Sequence, residues 1–286
     1  PTALLRIYDR FMPQAIYQNI FGLIQLVCVM SLWWIGEKRL LIYLAVTAVN
    51  NIIGQLCFFA YAMREAHRQG ILDVHNMDLR SLPVNCPGIW RFVWTTNLDG
   101  MVRVIRDIDI FIVNALLDTR AAALYKIART LNMAMGKLTG PFYQTIYPEL
   151  ARMVAARNTE SIAALMRQAS LMLGAVTLVV WFGFLLLGPY FLPLAFGSEY
   201  SAAFPVTAWS MAAMVVWGFA QPLSPVMMAM RKPEVSLVVH LVTTLAYVIM
   251  LALLVWKTGL VGAGVALFVF YLLWSSAMLV VVLRQM

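Results

Sequence analysis

Eight stretches of this chain, residues 14–35, 40–63, 92–116, 121–147, 170–192, 204–228, 235–256 and 259–283, are long enough and mostly apolar enough to cross a bilayer as helices. At 1.5 Å rise per residue, about 20 residues span the ~30 Å hydrocarbon layer. That layer has no water to pair a bare N–H or C=O, so runs of this length dictate helices, whose backbone groups pair within the segment. Hydrophobic residues make up 62% of the chain and charged residues 12%, with a mean hydropathy of +0.80. Soluble domains lie near half apolar and a quarter charged. The expected fold class is all-α, a polytopic membrane helix bundle with eight transmembrane helices.

The basic residues are scattered in short clusters between the apolar runs, so the net charge of +8 points to topology and not to nucleic acid. One set of loops and ends carries twelve Lys or Arg, among them Arg64, Arg68, Arg80, Arg91, Arg152, Arg157, Arg167 and Arg231. The opposite set carries four: Lys38, Arg39, Arg120 and Lys257. That bias predicts cytoplasmic ends. The longest loop, with Pro83 and Pro87, divides the chain into residues 1–75 (two helices), a cytoplasmic linker 76–91, and residues 92–286 (six helices). The mixed-charge segment 148–169 reads as a short helix on the cytoplasmic surface.

Two of the eight runs carry charge. LDGMVRVIRDID places Asp99, Arg103, Arg106, Asp107 and Asp109 within eleven residues. At 100° per residue Asp99, Arg103 and Arg106 share a sector, with Asp107 and Asp109 at its edges. The next run sets Lys126, Arg129 and Lys137 in one sector. Charges facing lipid are costly, so these stripes should face a bundle interior or a water-filled cavity. One reading pairs Asp99 with Arg103, and Asp107 with Arg103 or Arg106, as helix ties. The other makes Arg103, Arg106, Lys126, Arg129 and Lys137 a cationic cavity for a phosphate or acidic sugar, matched by guanidinium donor forks. Asp99, Asp107, Asp109 and His240 are candidates for ion coupling, with H⁺ or Na⁺, or for charge pairing. Pro222 and Pro225 in FAQPLSPVM are candidate gating positions, where helices kink. Gly259, Gly262 and Gly264 in GLVGAG read as packing positions. No metal site, bound cofactor or catalytic cluster is expected, and the three cysteines have no ligand spacing.

RDIDIFIVNALLDTRAAALYKIARTL, GPFYQTIYPELARM, FGSEYSAAFPV and GLVGAGVAL, together with the early LLRIYDRF, resemble the oligosaccharide (O-antigen type) flippase family of the multidrug/oligosaccharidyl-lipid/polysaccharide exporter superfamily. The resemblance implies a two-lobe bundle of twelve or more helices that moves an undecaprenyl-pyrophosphate-linked oligosaccharide across the bacterial inner membrane by alternating access. It implies that these eight helices are roughly the fifth to twelfth, the C-terminal two-thirds, with the first four absent. Arg103, Arg106, Lys126 and Arg129 then fall in the second lobe, where cavity residues are expected. Asp109 and Tyr125 match a family-like pattern that serves either the site or lobe packing. Implied partners are the lipid-linked substrate, membrane lipids, and a polysaccharide polymerase or glycosyltransferases. The alternative is a cation-coupled multidrug or small-solute antiporter of the same superfamily.

Overall fold

The computed structural model describes residues 12–37, 39–68, 88–155, 159–230 and 233–285, in which every regular element is a helix. The chain divides into two compact units, Pro1–Asn85 and Cys86–Met286.

The first unit is a hairpin of α1 (Met12–Trp34) and α2 (Leu40–Arg68). α1 stops because Gly36 takes φ +78°, a conformation open to glycine. Gly36 N–H then donates to Trp33 O at 3.0 Å and Glu37 N–H to Leu32 O at 3.1 Å, a Schellman cap that satisfies the last carbonyls. Across the hairpin Asn50 Nδ2 donates to Phe21 O at 3.1 Å, and Tyr17 packs on Phe58 and Tyr61. Its outer faces are apolar and open, with Trp34 at 87% and Leu41 at 79% exposure, as suits lipid or further helices.

The second unit begins with α3 (Ile89–Ile105), a 3₁₀ turn over Arg106–Ile108, and α4 (Asp109–Leu116). α5 (Thr119–Ala155) and α6 (Thr159–Phe196) follow, then a 3₁₀ segment, Ser198–Ala203, and α7 (Phe204–Ala220). α8 (Leu223–Ala229), α9 (Pro233–Thr258) and α10 (Leu260–Gln285) complete it. α7 is central, packed against α5, α6 and α10, and ten of its residues are buried. Small residues permit its crossings. A Cβ on Gly218 would meet Thr177 Oγ1 at 2.4 Å, and one on Gly264 would meet Val206 O at 2.7 Å. Without a hydrophobic drive between helices in lipid, such backbone approach supplies the packing. The glycines of GLVGAG thus do structural work: Gly259 (φ +66°) turns α9 into α10, and Gly264 seats α10 on α7.

α3 and α4 run alongside α9 and in the same direction. Three ties advance together along both: Arg91 to Glu234 (2.6 Å), Asp99 to His240 (2.8 Å) and Asp109 to Tyr247 (3.2 Å).

Three expectations change. The run 92–116 is not one helix, because the chain winds into a 3₁₀ turn where the charges crowd. Segment 148–169 makes no separate surface helix. Its described residues extend α5 and α6, whose 37 and 38 residues exceed what a bilayer needs. The run 204–228 breaks at Gln221–Pro222, and Pro222 caps α8. By length and composition, five helices among the described residues suffice to cross a membrane: Leu40–Glu65, Glu160–Phe196, Ser198–Ala220, Glu234–Thr258 and Leu260–Arg284. The charged α3–α4 and α5 do not reach that threshold, and α1 contributes a shorter apolar stretch, Asn19–Trp34. The chain is a multi-pass membrane protein.

Candidate functional site

The charged stripes resolve into two buried clusters flanking one cavity. In the first, Asp109 opens α4 with its side chain fully buried. Its Oδ2 accepts from Tyr125 Oη of α5 at 2.8 Å and from Tyr247 Oη of α9 at 3.2 Å. Arg129 Nε lies 3.4 Å from the same oxygen, and Arg129 Nη2 donates to Asp107 Oδ1. A buried carboxylate is tolerable only when donors replace its lost water. Here two hydroxyls and a guanidinium from two other helices do so for Oδ2, while Oδ1 has no partner among the described residues. Two positions apart on a helical backbone, the neighbouring acids face different ways: Asp107 is 60% exposed while Asp109 enters the core.

The second cluster joins α3, α9 and α10. His240 Nδ1 lies 2.8 Å from Asp99 Oδ1 and 3.0 Å from Ser236 O. Ser236 Oγ approaches the same ring nitrogen at 3.3 Å. The imidazole leans on Trp274 at 5.5 Å between centroids, and Trp274 meets Tyr271 edge to face.

Between the clusters lies a cavity of about 320 Å³, lined by Asp107, Arg129, Asn132, Met133, Gly136, Met214, Trp217, Ser224, His240, Leu267, Tyr271 and Trp274. Its wall combines three large aromatic rings with an amide, a hydroxyl and a paired Arg–Asp. Asn132 is 4% exposed, and neither its Nδ2 nor its Oδ1 has a hydrogen-bond partner among the described residues. Trp274 Nε1 is likewise without one.

Of the residues singled out from sequence, Arg129, Asp107 and His240 line this cavity, while Asp99 and Asp109 sit behind it as partners of His240 and Arg129. Lys126 and Lys137 are exposed on α5 and do not line it. The side chains of Arg103 and Arg106 lie outside the described residues. Pro222 and Pro225 are buried around the α7–α8 break. Asp99 pairs with a histidine 141 positions along the chain, and Asp107 with an arginine on α5. Arg129, which has no acid on its own stretch of α5, finds two across the helix interface. Sequence reasoning missed Tyr247, Asn132, Trp217, Tyr271 and Trp274. A signal was present in α9, where His240, Thr243, Thr244 and Tyr247 form a polar stripe at helical spacing, and in Asn132, one turn beyond Arg129.

The model of the polysaccharide biosynthesis protein family matches residues 81–205, the stretch that supplies Asp99, Asp107, Asp109, Tyr125, Arg129 and Asn132. The inner membrane protein YghQ of Escherichia coli (strain K12) is 26% identical over 205 residues, which cover 71% of this chain and 57% of that protein. The chain therefore spans little more than half the length of this curated relative. No solved structure matches. The two matches bear out the resemblance drawn from the motifs: the chain is similar to a polysaccharide biosynthesis protein family and to an inner membrane protein, consistent with a polysaccharide flippase family.

Proposed function

We propose that the protein translocates an undecaprenyl-pyrophosphate-linked oligosaccharide from the cytoplasmic to the outer face of the bacterial inner membrane by alternating access, for surface polysaccharides of the lipopolysaccharide type. The observation that carries this reading is the polar, aromatic-walled cavity enclosed by apolar helices, in a chain matched by a polysaccharide family. The lipid tail stays in the bilayer while the headgroup crosses through protein, so the protein acts as a transporter and not an enzyme. Fixed donors and dipoles replace hydration that the headgroup loses.

All eight apolar runs cross the membrane in this reading. Support comes from α3–α4, which lie parallel to the apolar α9 and are tied to it at three levels, so that whatever layer α9 spans, α3–α4 span as well. The Lys and Arg bias puts both ends of the chain in the cytoplasm. Lys126 and Lys137, exposed on the face of α5 beside the cavity lining, together with Arg103 and Arg106, are assigned to the pyrophosphate. The Asp99–His240 pair is assigned to coupling with H⁺ or Na⁺. Partners are the lipid-linked substrate, membrane lipids, and a polymerase or glycosyltransferases, with no nucleic acid.

The test is translocation of a labelled undecaprenyl-pyrophosphate-linked sugar by the full-length protein in liposomes, beside a folded Arg103→Gln/Arg106→Gln variant. Translocation by wild type and its loss in the variant are expected. No translocation with a panel of lipid-linked sugars, alongside proton-coupled efflux of small solutes, would replace the flippase with the antiporter. One observation favours that second reading: Arg129 in the cavity wall is already balanced by Asp107 and Asp109, so the cavity itself is not strongly cationic.

A further inference from the structure

The charge balance of the cavity raises the question of which part of a lipid-linked glycan it holds. Its guanidinium, on Arg129, is engaged by two carboxylates, one of them fully buried. A pyrophosphate entering there would meet the Asp107 carboxylate in the wall with Asp109 behind it, and like charges repel. The unmet demand in the wall is neutral and polar. Asn132 offers two donors and an acceptor, and Trp274 one donor, all buried and unpartnered among the described residues. Leaving such groups unpaired is costly, and a ligand that pairs them gains binding energy from doing so. Beside them stand Trp217, Tyr271 and Trp274.

We propose that this cavity is a sugar subsite, in which Asn132 and Trp274 Nε1 hydrogen-bond the hydroxyls of a pyranose whose C–H faces pack on the aromatic wall, while the pyrophosphate is held elsewhere. A sugar hydroxyl both donates and accepts, which matches an amide that presents both functions. Aromatic faces carry negative charge density and attract the weakly positive C–H edges of the ring. At about 320 Å³ the cavity lies at the small end of ligand sites. It therefore receives one end of a glycan, and the rest of the chain stays outside. The assignment rests on the flippase reading for its substrate class and adds which moiety the cavity reads and which residues read it.

The test is saturation-transfer NMR on the full-length protein in lipid nanodiscs with free N-acetylglucosamine, galactose or glucuronate, each with and without excess inorganic pyrophosphate. The expected result is saturable transfer to ring C–H protons of at least one sugar, undiminished by pyrophosphate. Asn132→Ala and Trp274→Phe should each weaken it about tenfold, the equivalent of one lost hydrogen bond. The second substitution keeps an aromatic ring and removes only the donor, so it remains informative if the first disturbs folding. No saturable transfer, displacement of the sugar by pyrophosphate, or full transfer in both variants would overturn the assignment. The two readings fail separately. Sugar binding without translocation of the lipid-linked form sinks the flippase and spares the subsite, whereas translocation without sugar binding does the reverse.

Discussion

The buried polar groups behind the cavity and those in its wall are satisfied to different degrees. Behind one side, Asp109 Oδ2 collects two tyrosine hydroxyls and an arginine from α5 and α9, while its Oδ1 has no partner among the described residues. On the other, Asn132 and Trp274 are equally buried, yet their polar atoms find no partner among the described residues. A buried polar group with several partners on other helices ties those helices together. One without them is available to something that comes and goes. The contrast separates residues that hold this bundle from residues that bind in it, a distinction that charge alone does not make.

Substitutions test that division, beginning with the largest effect. Asp109→Ala should cost about 3–5 kcal/mol, since it takes the shared acceptor from two buried tyrosine hydroxyls and leaves Arg129 with the exposed Asp107 alone, and should appear as a large drop in melting temperature in detergent. A variant that melts like wild type would remove Asp109 from its structural role. Tyr125→Phe and Tyr247→Phe each take one hydroxyl from the same carboxylate oxygen and should each cost about 1.5–3 kcal/mol. Because the two share an acceptor, a double-mutant cycle should be non-additive, and strict additivity would show that they act separately. Asp107→Asn touches the 60% exposed partner of Arg129 and should cost about 1 kcal/mol or less, diminishing as salt is raised. Asn132→Ala removes no hydrogen bond among the described residues and takes away two unpaired buried polar atoms, so it should not lower the melting temperature. A clear fall there would reveal a protein partner and erase the contrast.

Much of the bundle was legible in the sequence, because hydrophobic run length and helical period are local properties. GLVGAG declared a close crossing, and the crossing is there, with Gly264 against the backbone of α7. Boundaries were less legible where polarity changed without a change in period. Residues 148–169 lose hydropathy but keep helical spacing, so α5 and α6 run on where a surface helix was expected. The break at Arg106–Ile108 was hidden because local propensity in RDIDIF does not announce a 3₁₀ turn, and the ties from Asp107 and Asp109 to Arg129 that accompany it are tertiary. The site was legible as a list of charged residues and not as a set of pairs. Asp99 with His240, and Asp109 with Tyr247, are joined across more than 130 residues, so no reading of one helix at a time finds them. The aromatic wall was illegible for a different reason: Trp and Tyr in apolar helices are common, and only the meeting of α7 and α10 around a cavity marks Trp217, Tyr271 and Trp274.

The most direct measurement is translocation of a labelled undecaprenyl-pyrophosphate-linked sugar by Asn132→Ala in liposomes, paired with its melting temperature. The expected result is a protein that melts with wild type and translocates about tenfold more slowly, because one hydrogen bond to the sugar is removed from a scaffold that stays sound. Wild-type translocation, or a loss of translocation that merely follows a loss of stability, would contradict the assignment of the unsatisfied wall to substrate.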